Sequence, residues 1–214
     1  MNQLKISTRL ATLITVMGLL LVLIGGFGLY GMTQSDDALD KMYNGPVSQV
    51  AQISELRYLT LRNRLVIANA VIEQTAERSG KSVSEVEANL AQISKVWTTY
   101  MATPMPPDEA RMAKGLDDKL NRHIKEGVTP TLAALRANDY KEAHRLVVEV
   151  IRPTFDAARE QSDAMLKFNL DEAKANFEAE SAQFHTIRNI SIVSIVLGLL
   201  FSLAFGVALL RSIT

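Results

Sequence analysis

The sequence contains no cysteine among its 214 residues, and its 23 Lys and Arg are balanced by 23 Asp and Glu. The lack of cysteine excludes disulfides, zinc ribbons, thiol catalysis and thiolate-held iron–sulfur clusters. The balanced charge provides no long-range attraction for nucleic acid, and we expect no such partner. Charged residues make up 21% of the chain while the mean hydropathy is +0.08, so the apolar residues are concentrated in particular segments.

The two longest segments without a charged residue are residues 10–35 and residues 189–210. Because about 20 apolar residues cross the hydrocarbon core of a bilayer as a helix, we predict transmembrane helices over 10–31 and 189–210. A cleaved signal peptide is the alternative for the first segment. Its apolar stretch is too long for such a peptide, and no small-residue cleavage pattern follows it.

Basic residues predict the orientation of these two spans. Lys5 and Arg9 precede the first span and Arg211 follows the second. The positive-inside rule therefore places residues 1–9 and 211–214 in the cytoplasm and residues 32–188 outside the inner membrane. His185 and Arg188 lie on the outer side of the second span, so the rule is not unanimous.

Small residues recur every four positions in the second span, which favours close packing against another helix: Ser194, Gly198, Ser202 and Gly206. In the first span the glycines show no comparable pattern, and its partner face is not predicted. Lipid is expected around both spans.

Residues 32–188 lack the apolar–polar alternation of strands and are rich in helix formers. We predict an all-α fold, an up-down-up-down four-helix bundle whose first and last helices continue into the two transmembrane helices. The first helix should kink at Gly45–Pro46 and end at Gly80. Its apolar face is predicted to contain Val50, Ile53, Leu56, Leu61, Leu65, Ala68 and Ile72.

Capping signals predict where the other three helices begin. Ser82 and Glu85 form a capping box, so the second helix should start near Val83. Pro107 with its following acids starts the third helix, and Asp139 caps the last one. Pro130 predicts either a kink or an end, and Pro153 predicts a kink in a last helix that otherwise runs unbroken into the second span.

This arrangement resembles the N-terminal sensory half of bacterial methyl-accepting chemotaxis proteins over the whole chain. Residues 5–10 (KISTRL) are similar to the start of many of these receptors, and residues 211–214 (RSIT) resemble the start of a HAMP linker. Residues 61–63 (LRN) and 152–154 (RPT) are similar to the ligand-contacting segments of the amino-acid-sensing members. Many sensor histidine kinases share the same plan.

The resemblance implies a homodimer with ligand bound between the first and last bundle helices, and a small shift of the last helix that passes through the second span. Arg62 matches the first ligand-carboxylate arginine of the aspartate-type receptors, and Thr154 matches their ligand-binding threonine. Ile67 and Val71 stand at the positions of two further arginines. An aspartate specificity is therefore not carried over. The chemotaxis kinase complex is contacted in this family by a cytoplasmic part that these residues do not include, and we expect a fragment or a truncated product.

The residues themselves favour a site for a small carboxylate. Tyr58, Arg62 and Asn69 share one helix face, and the planar fork of a guanidinium suits a carboxylate. We predict that these three residues bind the ligand together with Thr154, and that Arg64 and Arg152 are additional residues of the same site. Two alternatives stay open: the arginines are solvated or paired with bundle acids, and the Thr154 hydroxyl bonds to a carbonyl near Pro153.

No pattern for catalysis, cofactors or metal is present. E-x-x-H pairs are missing around His123, His144 and His185, which are interpreted as surface or cap histidines. There is no phosphate-binding loop or catalytic motif. We therefore predict a chemoreceptor sensory module and not an enzyme. The alternatives are the sensor portion of a HAMP-linked histidine kinase and a membrane-anchored helical scaffold that senses nothing.

Overall fold

A computed structural model describes residues 6–213, with every side chain in that range except those of residues 6, 7, 9, 13 and 208–213. The described secondary structure is helical throughout, which confirms the predicted all-α class. The predicted motif at 5–10 and the predicted HAMP start at 211–214 lie partly outside the described residues.

The described chain contains seven α-helices. They are α1 Ile6–Met42, α2 Ser48–Glu73, α3 Ala76–Met101, α4 Pro107–Arg122, α5 Thr129–Arg136, α6 Tyr140–Leu146 and α7 Arg152–Ile213. Three π-helical segments connect some of them: Tyr43–Val47, His123–Val128 and Val147–Ile151. Residues 43–174 form one compact unit, and the described parts of residues 1–42 and 175–214 form another.

The first unit is the predicted four-helix bundle. Its four rods are α2, α3, the pair α4 and α5, and the pair α6 and α7 up to residue 174. Short turns join successive rods, so neighbours run antiparallel. Two apolar clusters fill the interior: one around Ile67, Val86, Leu135 and Ile151, the other around Ile53, Leu56, Leu116 and Met165. Asn63 accepts a 2.8 Å hydrogen bond from Asn89 and remains buried.

The turn between α2 and α3 differs from the prediction. Helix α2 ends at Glu73, Gln74 takes the left-handed conformation (φ 50°), and Thr75 caps α3 by accepting a 3.2 Å bond from the Arg78 amide. The predicted end at Gly80 and the predicted cap at Ser82 are therefore wrong, because both residues lie inside α3. Glycine costs a helix about 1 kcal/mol, and burial of the apolar residues beyond it outweighs that cost.

The other predicted starts are confirmed. Pro107 begins α4 with Asp108 and Glu109 in the first turn. The Asp139 carboxylate accepts a 3.0 Å bond from the Glu142 amide at the start of α6. The Asp139 cap satisfies an amide group that has no partner within the helix, whereas α4 has no side-chain cap and begins with a proline that lacks the amide hydrogen.

Each π-helical segment accompanies a proline within a helical stretch. Pro46 lies inside the first, and Pro130 and Pro153 each follow their segment by two residues. Proline lacks an N–H group and its ring collides with the carbonyl four residues before it, and a wider turn relieves both problems. Gly45 leaves helical geometry (φ −101°, ψ −109°), so the predicted kink is confirmed. At Pro130 the chain continues as a helix after a π-helical segment.

The second unit pairs α1 with the later part of α7. Ser194, Gly198, Ser202 and Gly206 are all half-buried, and a Cβ atom at Gly198 would lie 3.8 Å from Leu20 Cδ1. The small-residue stripe therefore does face another helix. The face of α1 that the sequence left unassigned is marked by its half-buried residues: Val16, Leu20, Ile24 and Gly31.

The two helices of this unit are long and apolar enough to cross a membrane. Windows of 18 residues within them reach a mean hydropathy of 2.5, and none of the residues in those windows is buried. Large apolar side chains such as Val22 and Leu203 are exposed, which is the surface that lipid would cover. Residues 184–189 lie within α7, so the predicted unbroken helix is present there.

Candidate functional site

The arginines of α2 lie on different sides of that helix. Arg62 Nε lies 2.6 Å from Glu85 Oε1 on α3, and the hydrogen bond to Glu85 raises the pKa of this exposed guanidinium. Arg64 faces α7, with Nη1 3.8 Å from Asp156 Oδ1. Two residues along a helix correspond to a rotation of about 200°. The structure therefore separates the two arginines that the prediction placed in one site.

Arg64 also lies over an aromatic ring. Its Cζ atom is 4.6 Å from the centroid of the buried Phe155 ring on α7. An arginine over a ring face is attracted by the negative charge of the π system, an effect of about 0.5–2 kcal/mol. The guanidinium is therefore oriented by Asp156 and Phe155 together while part of its surface remains open.

A groove of about 430 Å³ runs between α2 and α7 beside Arg64, and we call it the arginine groove. Three arginines line it, Arg57, Arg64 and Arg159, together with the buried apolar side chains of Leu56, Leu120 and Phe155. Arg57 is ion-paired with Asp163, but its buried Nε atom has no hydrogen-bond partner among the described residues. Arg159 forms no ion pair within the described chain. The groove thus presents cationic donors above an apolar surface.

Tyr58 and Arg64 are the two sequence-predicted residues that line the arginine groove. Arg62, Asn69, Arg152 and Thr154 do not line it, and Asn69 and Arg152 are exposed elsewhere on the bundle. Sequence reasoning did not select Arg57 as a binding residue and did not consider Arg159. The spacing of Arg57 and Arg64, seven residues apart on one helix face, was the available signal for the first.

Thr154 is engaged by its own helix and by His123. Its hydroxyl lies 2.7 Å from the Val150 carbonyl oxygen and 2.9 Å from His123 Nδ1. The hydroxyl has one proton, which it donates to the Val150 carbonyl, so His123 must donate from Nδ1. This arrangement corresponds to the alternative in which Thr154 bonds to a carbonyl near Pro153.

His123 is buried rather than a surface residue, which the sequence did not reveal. Burial, and secondarily the charge of Arg64, lowers the pKa of His123 to about 4. Its ring packs edge-on against Phe155 with centroids 6.1 Å apart. The imidazole is therefore neutral near pH 7 and helps to hold the ring on which Arg64 rests.

Helix α2 presents a second apolar stripe that the bundle leaves uncovered, and we call it the outward seam. Several residues of the predicted apolar face belong to it and are not buried: Leu61, Leu65 and Ile72 are 46%, 53% and 77% exposed. Successive members alternate spacings of three and four residues: Ala51, Ser54, Tyr58, Leu61, Leu65, Ala68 and Ile72. This 3.5-residue period is typical of helices that pair with another helix. Ser54, Tyr58 and Leu61 also line the arginine groove.

Seven of the ten buried residues of α2 follow the same period, and we call these seven the inward seam: Gln49, Ile53, Leu56, Thr60, Asn63, Ile67 and Ala70. Both seams run the length of the helix. One helix therefore carries two candidate packing surfaces, of which its own chain covers one.

Comparison with known proteins identifies the family. A family model described as Tar ligand binding domain homologue matches residues 1–173, and the chain belongs to this family. The predicted resemblance to the sensory half of chemoreceptors is thereby confirmed.

A curated relative agrees with the family. The chain is 19% identical over 217 residues to the methyl-accepting chemotaxis protein HlyB of Vibrio cholerae serotype O1, an alignment that covers 99% of the chain. The chain spans 40% of the length of that relative. No solved structure matches the chain.

Proposed function

We propose that this chain is the sensory module of a bacterial chemoreceptor, and that it binds a small organic carboxylate in the arginine groove outside the inner membrane. The observation that carries the proposal is the set of three arginines above an apolar surface between α2 and α7. Membership of the Tar ligand-binding family and two apolar helices fit a membrane receptor with an external sensor domain. The proposal retains Tyr58 and Arg64 and adds Arg57 and Arg159.

The charges in the groove favour an anion. Arg57, Arg64 and Arg159 line the groove, and only Arg57 and Arg64 pair with acids, Asp163 and Asp156, so the cations outnumber the acids. A charge-assisted hydrogen bond contributes about 1.5–3 kcal/mol. Two such bonds suffice for binding in the micromolar to millimolar range. The apolar surface suits a ligand that carries a hydrocarbon or aromatic part beside its carboxylate.

The second part of the proposal is that the receptor is a homodimer paired along the outward seam. A helix cannot leave large apolar residues such as Leu65 and Ile72 exposed along a regular seam without losing the free energy of burying them. A second copy of α2 carries apolar residues at the same spacing, so the outward seams of two copies can pack against each other. A second copy lying there would cover the arginine groove, since the seam and the groove share Ser54, Tyr58 and Leu61.

Signal transmission is the third part of the proposal. Phe155 and Arg159 lie on α7, the helix whose bounds extend to Ile213. A ligand that binds two receptor states with a difference of about 1–3 kcal/mol would bias α7 between them. Transmission to a chemotaxis kinase complex would belong to the remaining part of a longer receptor of this kind.

The binding test uses the whole chain in lipid nanodiscs and isothermal titration calorimetry. Succinate, L-glutamate and benzoate are compared with the neutral probes succinamide and benzamide. We expect the carboxylates to bind and the amides not to bind. Arg64→Ala should weaken carboxylate binding by about ten- to a hundredfold, because one charge-assisted bond is lost.

Arg62→Ala is the matched control, because Arg62 lies on the same helix but pairs with Glu85 outside the groove. Equal weakening by the two substitutions would refute the placement of the ligand in the arginine groove. Binding of none of these carboxylates would favour the alternative of a non-sensing helical scaffold. The sensor portion of a HAMP-linked histidine kinase remains the other alternative, and the output domain of the full-length protein distinguishes it.

A further inference from the structure

A cluster of buried polar side chains lies in the bundle apart from the arginine groove. Each of the four rods contributes one residue, namely Gln49 from α2, Tyr100 from α3, Glu109 from α4 and Asn169 from α7. Glu109, Tyr100 and Asn169 are 0% exposed and Gln49 is 4% exposed. A fully buried carboxyl is rare in proteins and requires a physical explanation.

The hydrogen bonds of this cluster converge on the Tyr100 hydroxyl. That hydroxyl donates to Glu109 Oε1, and Asn169 Nδ2 donates to the Tyr100 oxygen over 3.0 Å. Glu109 Oε2 and Asn169 Oδ1 are buried without a hydrogen-bond partner among the described residues. The Tyr100 hydroxyl therefore joins α3 to α4 and α7, while one oxygen of the Glu109 carboxyl stays unsatisfied.

No cation compensates the Glu109 carboxyl in the described part of the chain. The groups that face it are the neutral Gln49 on α2, Tyr100 on α3, and Asn169 with the acid Glu172 on α7. On its own helix, the neighbouring Asp108 is exposed and paired with Arg111. An ionised Glu109 would thus be a buried charge with another acid nearby and no counter-ion.

Burial raises the pKa of Glu109, and the charge of Glu172 adds to this effect, while the hydrogen bonds from Tyr100 and Gln49 oppose it. Burial likewise raises the pKa of Tyr100 above its usual range, so the phenol stays protonated. The proton on Glu109 is held more tightly in the folded chain than in the unfolded chain. The contribution of Glu109 to the free energy of unfolding is therefore fully present at low pH, and it is lost as the pH rises through the pKa that Glu109 has in the folded chain.

We propose that Glu109 is a proton-binding site of the sensor bundle, and that loss of its proton loosens the contact of α3 and α4 with α7. External pH would then act on α7 through a site that is separate from the arginine groove. The proposal does not depend on the identity of the small-molecule ligand, since none of the four clustered residues lines that groove.

The chain carries its own reporter for this site. Trp97 is the single tryptophan of the sequence. Its ring stacks on Tyr100 with centroids 5.3 Å apart and an interplanar angle of 7°, and its indole N–H donates to Asp117 over 2.7 Å. A change in the Tyr100–Glu109 contact should therefore alter the emission of Trp97.

The test records Trp97 emission and the melting temperature of the whole chain in nanodiscs between pH 5 and 9 at constant ionic strength. We expect a reversible transition in emission, accompanied by a fall in melting temperature as the pH rises. Glu109→Gln should abolish the transition, because glutamine cannot ionise. Asp108→Asn, on the exposed neighbouring residue, should leave the transition intact.

Glu172→Gln provides a second measurement that does not alter the buried carboxyl. Removal of the neighbouring negative charge should move the transition to lower pH. A wild-type chain without a transition, or a transition that persists unchanged in Glu109→Gln, would overturn the proposal. If Glu109→Gln fails to fold, the shift in Glu172→Gln decides: a shift supports the proposal and an unchanged midpoint overturns it.

Discussion

The inward and outward seams of α2 are alike in period but differ in environment. Leu56 on the inward seam is 1% exposed, whereas Leu65 on the outward seam is 53% exposed. Both seams repeat every 3.5 residues on average, and both carry leucine or isoleucine. The comparison shows that the residue types of a helix do not reveal which of two apolar stripes its own chain will cover.

The difference follows from how many neighbours a helix has in a four-helix bundle. The inward seam packs into the core with α3, α4 and α7, and the arginines between the seams form ion pairs with those neighbours. The outward seam has no covering element among the described residues of the bundle. The inward seam should therefore control folding, and the outward seam should control association. Four predictions test this division.

The largest expected effect is on the inward seam. Leu56→Ala removes a fully buried side chain and should lower the free energy of unfolding by about 2–5 kcal/mol. Urea denaturation of the whole chain in nanodiscs measures this change. Leu61→Ala on the outward seam is the matched control and should cost much less when copies are kept apart. Equal costs would contradict the assignment of the two seams.

Acid should destabilise the bundle through His123. This buried histidine lies near Arg64 of α2, whose charge adds to the effect of burial on its pKa. Burial lowers the pKa of His123 from 6.5 to about 4. The contribution of the neutral imidazole to the free energy of unfolding is therefore fully present above pH 6.5 and is lost as the pH falls toward 4. The loss should reach about 3 kcal/mol, at about 1.4 kcal/mol for each pH unit. Comparison of wild type with His123→Gln isolates this contribution. Parallel curves of stability against pH for the two chains would show that His123 does not contribute.

The outward seam should control self-association. The double substitution Leu61→Glu with Leu65→Glu places four like charges at the contact of two copies and removes apolar area worth about 1.5–3 kcal/mol per leucine. The dissociation constant measured by analytical ultracentrifugation should rise by at least about a hundredfold. Ser94→Glu, on an exposed position of α3, should leave association unchanged. A dimer unaffected by the double substitution would place the interface on another surface.

The smallest change in stability is expected for Arg62, which lies on α2 between the inward and outward seams. Arg62→Ala breaks the exposed ion pair with Glu85, and such pairs stabilise proteins little. The melting temperature should change by no more than about 4 °C. A much larger drop would mean that α2 and α3 depend on this exposed pair.

Sequence reasoning predicted the fold well because its strongest signals are local. The uncharged stretches, the starts at Pro107 and Asp139 and the kink at Gly45 depend on neighbouring residues alone. It failed at Ser82, since a capping sequence is compatible with the interior of a helix as well as with its start. It also placed Leu61 and Leu65 on one apolar face with Ile53 and Leu56, because periodicity does not indicate which side is covered.

The candidate site was less predictable than the fold. Resemblance and spacing selected Tyr58 and Arg64, which line the arginine groove, together with Arg62 and Thr154, which do not. The partner of each side chain depends on elements far along the chain: Glu85 binds Arg62, and His123 binds the Thr154 hydroxyl.

The sequence by itself determined the all-helical class, the two apolar helices and the family, because helix propensity, hydropathy and capping act over a few residues. Only the tertiary structure decided that Glu109 and His123 are buried, that Arg57, Arg64 and Arg159 share a groove, and that one seam of α2 stays uncovered. The physical reason is that burial and charge pairing depend on which helices pack together, and residues distant in the chain decide that packing.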